Sequence, residues 1–100
     1  MIVYGYAKDY FYTGDGTLMV RTRIPQIHGA YQQSDYHGKL PRNYTLDDNL
    51  PYYPSVLLPH LPNEGEVLAL VSVNDANTEF LILWLTGGSY NGGLTNLGET

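Results

Sequence analysis

The stretch LPYYPSVLLPHLPNEGEVLALVSVNDANTEFLILW, residues 50–84, decides the fold of this chain. It begins as a proline-punctuated extended segment and turns at residues 63–65. Residues 66–73 then place Val67, Ala69, Val71 and Val73 on one face, a spacing that is typical of a half-buried strand. After a polar turn at residues 74–77, residues 79–85 are apolar on both faces. A strand of that kind is buried on both sides, so a second layer or another chain is expected to cover the side that faces away from the core.

Two more strand patterns lie upstream, at residues 2–12 and 17–24, joined by the glycine-containing turn TGDG. The first pattern places its tyrosines on one face, namely Tyr4, Tyr6, Tyr10 and Tyr12, and small residues on the other, namely Val3, Gly5 and Ala7. The second pattern has one apolar face, made of Leu18, Val20, Thr22 and Ile24, and one mixed face, made of Met19, Arg21 and Arg23. Both patterns predict antiparallel strands with one face in the core.

A short fifth strand is predicted at residues 55–58, between Pro54 and Pro59, where it lies at an edge or bends. Five antiparallel strands with a long connection after the second predict an all-β fold, a small Greek-key barrel of the oligonucleotide/oligosaccharide-binding (OB) type. An SH3-like barrel is the alternative. The predicted core consists of Leu18, Val20, Ile24, Val67, Ala69, Val71 and either Phe80, Ile82 and Trp84 or Leu81 and Leu83.

The chain divides into a barrel at residues 1–86 and a glycine-rich tail at residues 87–100. The barrel carries a long irregular insertion at residues 25–53, with a short helical turn expected after Thr45. Insertions of that length inside a small domain are usually functional or shaped by a partner. The tail contains Tyr90, Leu94 and Leu97, which suggest that it docks on another surface.

Composition favours a protein covered by other protein. Charged residues make up 15% of the 100 residues, and ten are tyrosines, which are enriched at interfaces. The net charge of −5 argues against a general nucleic-acid binder and against an anionic membrane surface. There is no cysteine for a disulfide or a thiolate site. No signal peptide is predicted, and the apolar runs are too short to span a bilayer.

The sequence offers no catalytic or metal-binding spacing, so we expect no enzyme, no cofactor and no metal site. His28, His37 and His60 form no ligand motif, and only an ion shared on a threefold axis remains as an alternative. The acidic pair Asp47–Asp48 is interpreted as turn chemistry, and the pair Glu64 and Glu66 as a solvated turn. No serine lies in a nucleophile motif, and the glycine pairs are turns.

Arg21 and Arg23 alternate on one strand face beside the tyrosines of the first strand. An OB barrel binds single strands with aromatic platforms and a basic groove, which keeps a binding module in consideration. The whole chain has only five basic residues, so pairing of these arginines with the acids of a neighbour is favoured.

Four pieces of the chain, taken in order, resemble the OB-fold domain of baseplate hub and central-spike proteins of contractile phage tails. Relatives of that domain are the valine-glycine repeat spike proteins of type VI secretion and related injection machines. The pieces are VRTRIPQIHG at residues 20–29, LPYYPSVLLP at 50–59, PNEGEVLALV at 62–71 and FLILWLTGG at 80–88. They follow the family's succession of a basic-flanked strand, a leucine-proline-aromatic segment, an acidic-glycine turn and a strand that ends at paired glycines.

The resemblance implies a structural virion protein made in the host cytoplasm: a homotrimeric hub or central-spike component of the tail baseplate that joins the tail hub to the spike. Other chains then supply the hub and the spike tip, and neither nucleic acid nor, at rest, a membrane is a partner. We expect the contacts to involve Tyr4, Tyr6, Met19, Arg21, Arg23, Leu83, Leu85 and Tyr90. The alternative function is an OB-fold module that binds single-stranded nucleic acid or glycans; a small enzyme is a third and weaker hypothesis.

Overall fold

Five antiparallel strands form one curled sheet. The structure, a computed structural model, describes residues 1–31 and 43–89. Its elements are β1 (Ile2–Tyr12), β2 (Leu18–Arg23), helix α1 (Pro25–His28), a 3₁₀ helix (Asp47–Asn49), β3 (Tyr52–Pro54), β4 (Glu66–Ser72) and β5 (Phe80–Ser89). Neither helix in the described part of the chain is long and apolar enough to cross a membrane.

The two edges of the sheet approach each other just after β3. Ser55 forms a parallel bridge with Ile82, and the Val56 N–H donates to the Ile82 carbonyl at 3.0 Å. The order around the curled sheet is therefore β1-β2-β3-β5-β4, with the closing contact parallel and the other pairs antiparallel. This Greek-key half-barrel fits a small OB-like fold and confirms the predicted fold class.

The core lies on the concave side of the sheet. Its buried cluster consists of Val3, Ala7, Leu18, Val20, Ile24, Tyr53, Leu68, Leu70, Phe80 and Ile82. The prediction is confirmed for β2, where every second residue points inward. For β4 it is correct only for Ala69, which is fully buried, because Val67 and Val71 lie half-buried on the outer side. β4 is apolar on both faces, so alternation alone does not tell which face meets the core.

Two β-bulges change which residues face the core. In β1, Ala7 pairs with Thr22 and Asp9 pairs with Arg21, so Lys8 is the extra residue. An inserted residue moves all later side chains to the opposite face. Tyr10 and Tyr12 consequently pair with inward-facing residues of β2. The prediction that they lie on the same face of the strand as Tyr4 and Tyr6 is therefore wrong.

The second bulge lies in β5. Ala69 pairs with Trp84 while Leu70 pairs with Ile82, so Leu83 is the extra residue. Ile82 therefore points into the core, Trp84 points outward with 43% of its surface exposed, and Leu85 packs against the core again. Of the two inward sets predicted for this strand, the one made of Phe80, Ile82 and Trp84 is therefore correct except for Trp84, which points outward.

Two predicted strand boundaries need correction. The third strand lies at Tyr52–Pro54 and not at residues 55–58, because the chain leaves β2 after Ser55 and the Val56 N–H donates to Ile82 of β5 instead. β5 continues to Ser89, beyond the predicted end of the barrel at residue 86. The long connection contains α1, which was not predicted, and the 3₁₀ helix expected after Thr45. Within that connection, residues 32–42 lie outside the described residues, as do residues 90–100 of the tail.

Candidate interaction surfaces

The outward side of β1, β4 and β5 is an apolar surface made of paired side chains. Residues that face each other across neighbouring strands point to the same side of the sheet. Three such rows cross this sheet, and they consist of Ile2, Val71 and Leu81, then Tyr4, Ala69 and Trp84, then Tyr6 and Val67. None of these side chains is charged. We call this set the outer apolar face.

Several of its large side chains are open to solvent. Tyr4 is 56% exposed and Ile2 52% exposed, while the small Ala69 between Tyr4 and Trp84 is fully buried. Scattered exposed apolar residues are normal, but a contiguous patch on a soluble protein usually marks an interaction site. Aromatic enrichment together with absence of charge is also typical of interface centres.

The contact residues expected from the sequence fall on different surfaces. Tyr4 and Tyr6 belong to the outer apolar face, and the half-buried Leu83 forms the bulge beside it. Leu85 is turned toward the core and is partly buried against it. The remaining positions are Met19 and Arg21, on the outer side of β2, and Tyr90, which lies outside the described residues.

Arg23 is not on the surface at all, which corrects the expectation that it meets a neighbour. Its side chain has 0% exposure, although its strand position points outward. The guanidinium donates hydrogen bonds to the carbonyls of His28 at 2.9 Å, Gly29 at 3.0 Å and Thr45 at 2.5 Å. It also pairs with Asp47 at 2.9 Å. The acid that neutralises Arg23 is therefore in its own chain.

The Arg23 cluster ties together the two ends of the long connection. His28 and Gly29 precede residues 32–42, whereas Thr45 and Asp47 follow them. Two rings cover the guanidinium, that of Tyr31 at 4.6 Å and that of Tyr44 at 4.3 Å. Burial raises the pKa of both tyrosines. A planar guanidinium suits this site because it combines a fork of donors with faces that stack on aromatic rings.

Gly29 lets the backbone turn beside this cluster. Its φ of +87° lies in the left-handed region, and an added Cβ would sit 2.9 Å from the ring of Tyr44. A side chain at this position would be strained and would push Tyr44 away from Arg23.

A second arginine site lies on the outer side of β2 and β3. Arg21 donates to the Tyr52 hydroxyl at 2.8 Å and lies 4.9 Å over its ring, and its Nε is 3.3 Å from the Asp9 carboxylate. Phe11 meets Tyr52 edge to face with the ring centres 4.8 Å apart. We call these four side chains the Arg21 site. The site therefore combines two aromatic rings with an arginine whose charge is already balanced by Asp9.

A cleft of about 390 Å³ opens beside the β1–β2 hairpin. It is lined mainly by Tyr12, Leu18 and residues 55–61. Leu57, at its rim, is 99% exposed, more than any other large apolar residue of the described chain. We call this feature the mouth cleft.

The three histidines have separate surroundings. His28 is buried, its Nδ1 accepts from the Ile24 N–H at 2.8 Å, and its Nε2 lies 3.5 Å from the Tyr53 hydroxyl. Burial and, to a lesser degree, the nearby Arg23 lower the pKa of His28 from 6.5 to about 4. His60 is exposed with Nε2 3.7 Å from Glu66, and His37 lies outside the described residues.

The acidic residues serve as structural partners. Asp47 joins Arg23 and Lys8, and the Lys8 ammonium also meets Glu64 at 2.9 Å, which raises the lysine pKa. Glu66 is buried, contrary to its expected solvated turn, and accepts from the Asn63 N–H at 3.0 Å. Within residues 1–31 and 43–89, no group of three His, Cys, Asp or Glu side chains is arranged to hold a metal ion.

A comparison with protein-family models finds no match to this chain, and a comparison with curated proteins finds none either. The resemblance to baseplate and spike barrels therefore rests on the four sequence pieces quoted above. Sequence reasoning missed the Arg23 cluster and the mouth cleft. The aromatic residues Tyr31 and Tyr44, which flank the long connection on either side, were the available signal for the first.

Proposed function

We propose that this chain is a structural module of a phage tail baseplate or a related contractile injection device. In this role it is an OB-like barrel that joins the tail hub to the spike, and it works as a homotrimer in the assembled virion. It carries no catalytic centre and needs no cofactor. The observation that carries the proposal is the outer apolar face.

The outer apolar face supports an assembly role because its exposure is costly in a free monomer. Each large apolar side chain left in water forgoes roughly 1.5–3 kcal/mol of burial free energy. Tyr4, Ile2 and Trp84 all protrude from one sheet face, and each is more than 40% exposed. A neighbouring protein that covers them recovers part of this energy.

A closed ring of copies brings two different surfaces of the chain into contact. In a closed ring, one face of each copy meets a different face of the next copy, and the ring closes after a fixed number of copies. The outer apolar face on β1, β4 and β5 and the outer side of β2 and β3 occupy different parts of the curled sheet. The four sequence pieces resemble trimeric barrels, so three copies are the expected number.

The deciding experiment is the copy number and position of this chain in an assembled particle. Electron microscopy of the particle is expected to show three copies on the tail axis between hub and spike. A single copy at the periphery would refute the proposal. Tyr4→Asp is expected to block incorporation, whereas Leu46→Asp, an equally charged change at an exposed leucine elsewhere, is expected to be tolerated.

A second candidate function is ligand binding at the Arg21 site. Its Arg21 and Tyr52 lie on β2 and β3, the face with which OB folds bind oligonucleotides and oligosaccharides, and Phe11 of β1 adds a second ring. The Asp9 carboxylate beside Arg21 matches its charge and repels phosphates. A neutral glycan therefore suits the site better than a nucleic acid does.

Titration with mixed-sequence oligonucleotides and with neutral oligosaccharides separates these candidates. Non-specific nucleic-acid binding at physiological salt has a Kd of about 10⁻⁴–10⁻⁶ M, so a Kd tighter than about 10 μM would favour the binding module. Under the assembly proposal we expect weaker binding of both ligands and no change on Tyr52→Ala.

A further inference from the structure

Glu66 is a buried acid whose charge is only partly compensated by its own chain. It is the first residue of β4 and is 6% exposed. Its carboxylate oxygen Oε1 accepts from the Asn63 N–H at 3.0 Å. No hydrogen bond from the residues that the structure describes reaches the other oxygen, Oε2. Because burial of a carboxylate is costly unless donors or cations surround it, Oε2 is a place where a further positive group is favoured.

The positive groups around Glu66 leave this place open. Lys8 is held by Glu64 at 2.9 Å and by Asp47 at 3.6 Å. Among residues 1–31 and 43–89, His60 is the one basic side chain in ion-pair contact with Glu66, and its Nε2 lies 3.7 Å from Oε2. An N–H···O hydrogen bond spans about 2.7–3.2 Å, so the two side chains face each other without forming one.

The second ring nitrogen of His60 determines what Nε2 offers to Glu66. Nδ1 lies 2.9 Å from the Leu61 carbonyl oxygen. A carbonyl oxygen can only accept, so Nδ1 carries the ring proton and donates it. In the neutral imidazole Nε2 therefore has a lone pair, and it faces a carboxylate oxygen that also only accepts. Two acceptors that face each other form a place for a cation.

The spacing of the two acceptors is close to that of two ligands of one metal ion. Zinc binds imidazole nitrogen at about 2.0–2.1 Å and carboxylate oxygen at about 2.0–2.2 Å, so two such ligands of a tetrahedral ion lie about 3.3–3.5 Å apart. The observed 3.7 Å needs only a small rotation of His60, whose side chain is 56% exposed. The hydrogen bonds to the Leu61 carbonyl and from the Asn63 N–H orient both ligands, as outer hydrogen bonds usually do in metal sites.

We propose that His60 and Glu66 bind a divalent first-row transition-metal ion, a class of metal that suits imidazole nitrogen together with carboxylate oxygen. Nε2 and Oε2 supply two ligand atoms. Water completes the coordination, because within the described residues no third His, Cys, Asp or Glu side chain joins the pair. The ion is therefore exchangeable, and it fastens the loop at residues 55–61 to the start of β4. This inference goes beyond the proposed function and does not depend on it, because both ligands belong to one chain.

The first test is calorimetric titration of the full chain with ZnCl₂ over about 1 μM to 1 mM, the range of weak to moderate affinity. We expect saturable binding of one ion per chain, and none with MgCl₂, because Mg²⁺ prefers oxygen ligands in an octahedral site. His60→Ala and Glu66→Gln are each expected to weaken Zn²⁺ binding about tenfold or more, since loss of an outer partner alone costs about that much. Glu66→Gln keeps an oxygen acceptor for the Asn63 N–H.

Glu64→Gln is the matched control for Glu66→Gln. It removes the same charge two residues away, at an exposed side chain that faces Lys8, and is expected to bind Zn²⁺ as the wild type does. His37→Ala controls for the histidine outside the described residues and should also leave binding unchanged. His60→Ala should keep the wild-type circular dichroism spectrum, because His60 is exposed, and it remains informative if Glu66→Gln does not fold.

The second test records the ring nitrogens of His60 by ¹⁵N nuclear magnetic resonance during the Zn²⁺ titration. We expect the Nε2 signal to shift while Nδ1 stays protonated, since Nδ1 donates to the Leu61 carbonyl. Absence of saturable Zn²⁺ binding, or unchanged affinity of His60→Ala, would overturn the inference. Equal weakening by Glu64→Gln and Glu66→Gln would reduce the effect to general attraction by acids. Loss of binding in His37→Ala with the His60 signals unmoved would show an adventitious ion only.

Failure of this inference is distinguishable from failure of the proposed function. If the free chain binds Zn²⁺ through His60 but lies away from the tail axis in the particle, the metal site stands and the assembly role fails. If three copies lie on the axis and His60→Ala binds Zn²⁺ as the wild type does, the assembly role stands and the metal site fails.

Discussion

Replacing Arg23 by methionine tests whether the long connection is held by this one side chain. Methionine retains a flexible apolar stem but has no donors. The change leaves the carbonyls of His28, Gly29 and Thr45 without the guanidinium and removes the partner of Asp47. We expect the barrel strands to remain and the segments on either side of residues 32–42 to loosen.

The magnitude follows from burial. Removing one member of a buried ion pair costs about 3–5 kcal/mol, because the other charge is left without compensation. The Asp47 side chain is 37% exposed and lies 3.6 Å from Lys8, so water and Lys8 stabilise it in the variant. We therefore expect a loss near the lower limit, about 3 kcal/mol. This is a large share of the 5–15 kcal/mol typical of a domain.

Urea unfolding followed by circular dichroism measures this loss, and hydrogen exchange locates it. The Thr45 N–H donates to the His28 carbonyl at 2.9 Å across the ends of the connection, so its exchange should accelerate in Arg23→Met. Arg21→Met is the matched control on the same strand, because its side chain is 21% exposed and its ion pair is partly solvated. We expect it to cost less than Arg23→Met does. A variant Arg23→Met within about 1 kcal/mol of the wild type, with Thr45 still protected, would refute the reasoning.

Three further predictions concern single sites. Gly5→Ala should lower the free energy of unfolding in urea by about 1–3 kcal/mol, because the added Cβ would lie 2.7 Å from Thr22 Cγ2 and 2.8 Å from the Arg23 carbonyl. The control Gly14→Ala should be nearly neutral, because the space around Gly14 is open. The free energy of unfolding should fall as the pH drops from about 6.5 to about 4, because the unfolded chain binds a proton at His28 before the folded chain does. His28→Asn keeps an acceptor for the Ile24 N–H and should remove up to about 3 kcal/mol of this pH dependence. Trp84→Ser should lower the free energy of unfolding by less than about 2 kcal/mol, whereas Phe80→Ala should lower it by about 3–5 kcal/mol. Thermal or urea unfolding of the two variants measures both values, and equal losses would place both rings in the core.

Alternation in the sequence was sufficient to locate four of the five strands and the inward face of β2. The pattern of Leu18, Val20 and Ile24 against Met19 and Arg21 has one apolar face, so it has one solution. β4 has two apolar faces, and its inward face was assigned wrongly for that reason. The choice is made by pairing with β1, a contact between distant residues that a local pattern does not contain.

Local sequence patterns also could not predict the bulges at Lys8 and Leu83 or the burial of Arg23. A bulge shifts the register by a single residue, and nothing in the residue types at these positions marks it. Arg23 occupies an outward strand position, where a charged residue is normally exposed. It is buried because segments from a distant part of the chain fold over it and bring Asp47 with them. Such a cover depends on tertiary structure, and strand periodicity does not report it.

The Leu83 bulge links the error in the predicted core to the proposed function. Without the extra residue, Trp84 would share the inward face of Ile82. The bulge instead places Trp84 outside, in line with Ala69 and Tyr4, and so completes a row of the outer apolar face. An indole in water is unfavourable for an isolated domain, and departures from a consistent local pattern are expected where a protein meets its partners. The strand that is too apolar for one small core is thus the same strand that supplies the surface on which the assembly proposal depends.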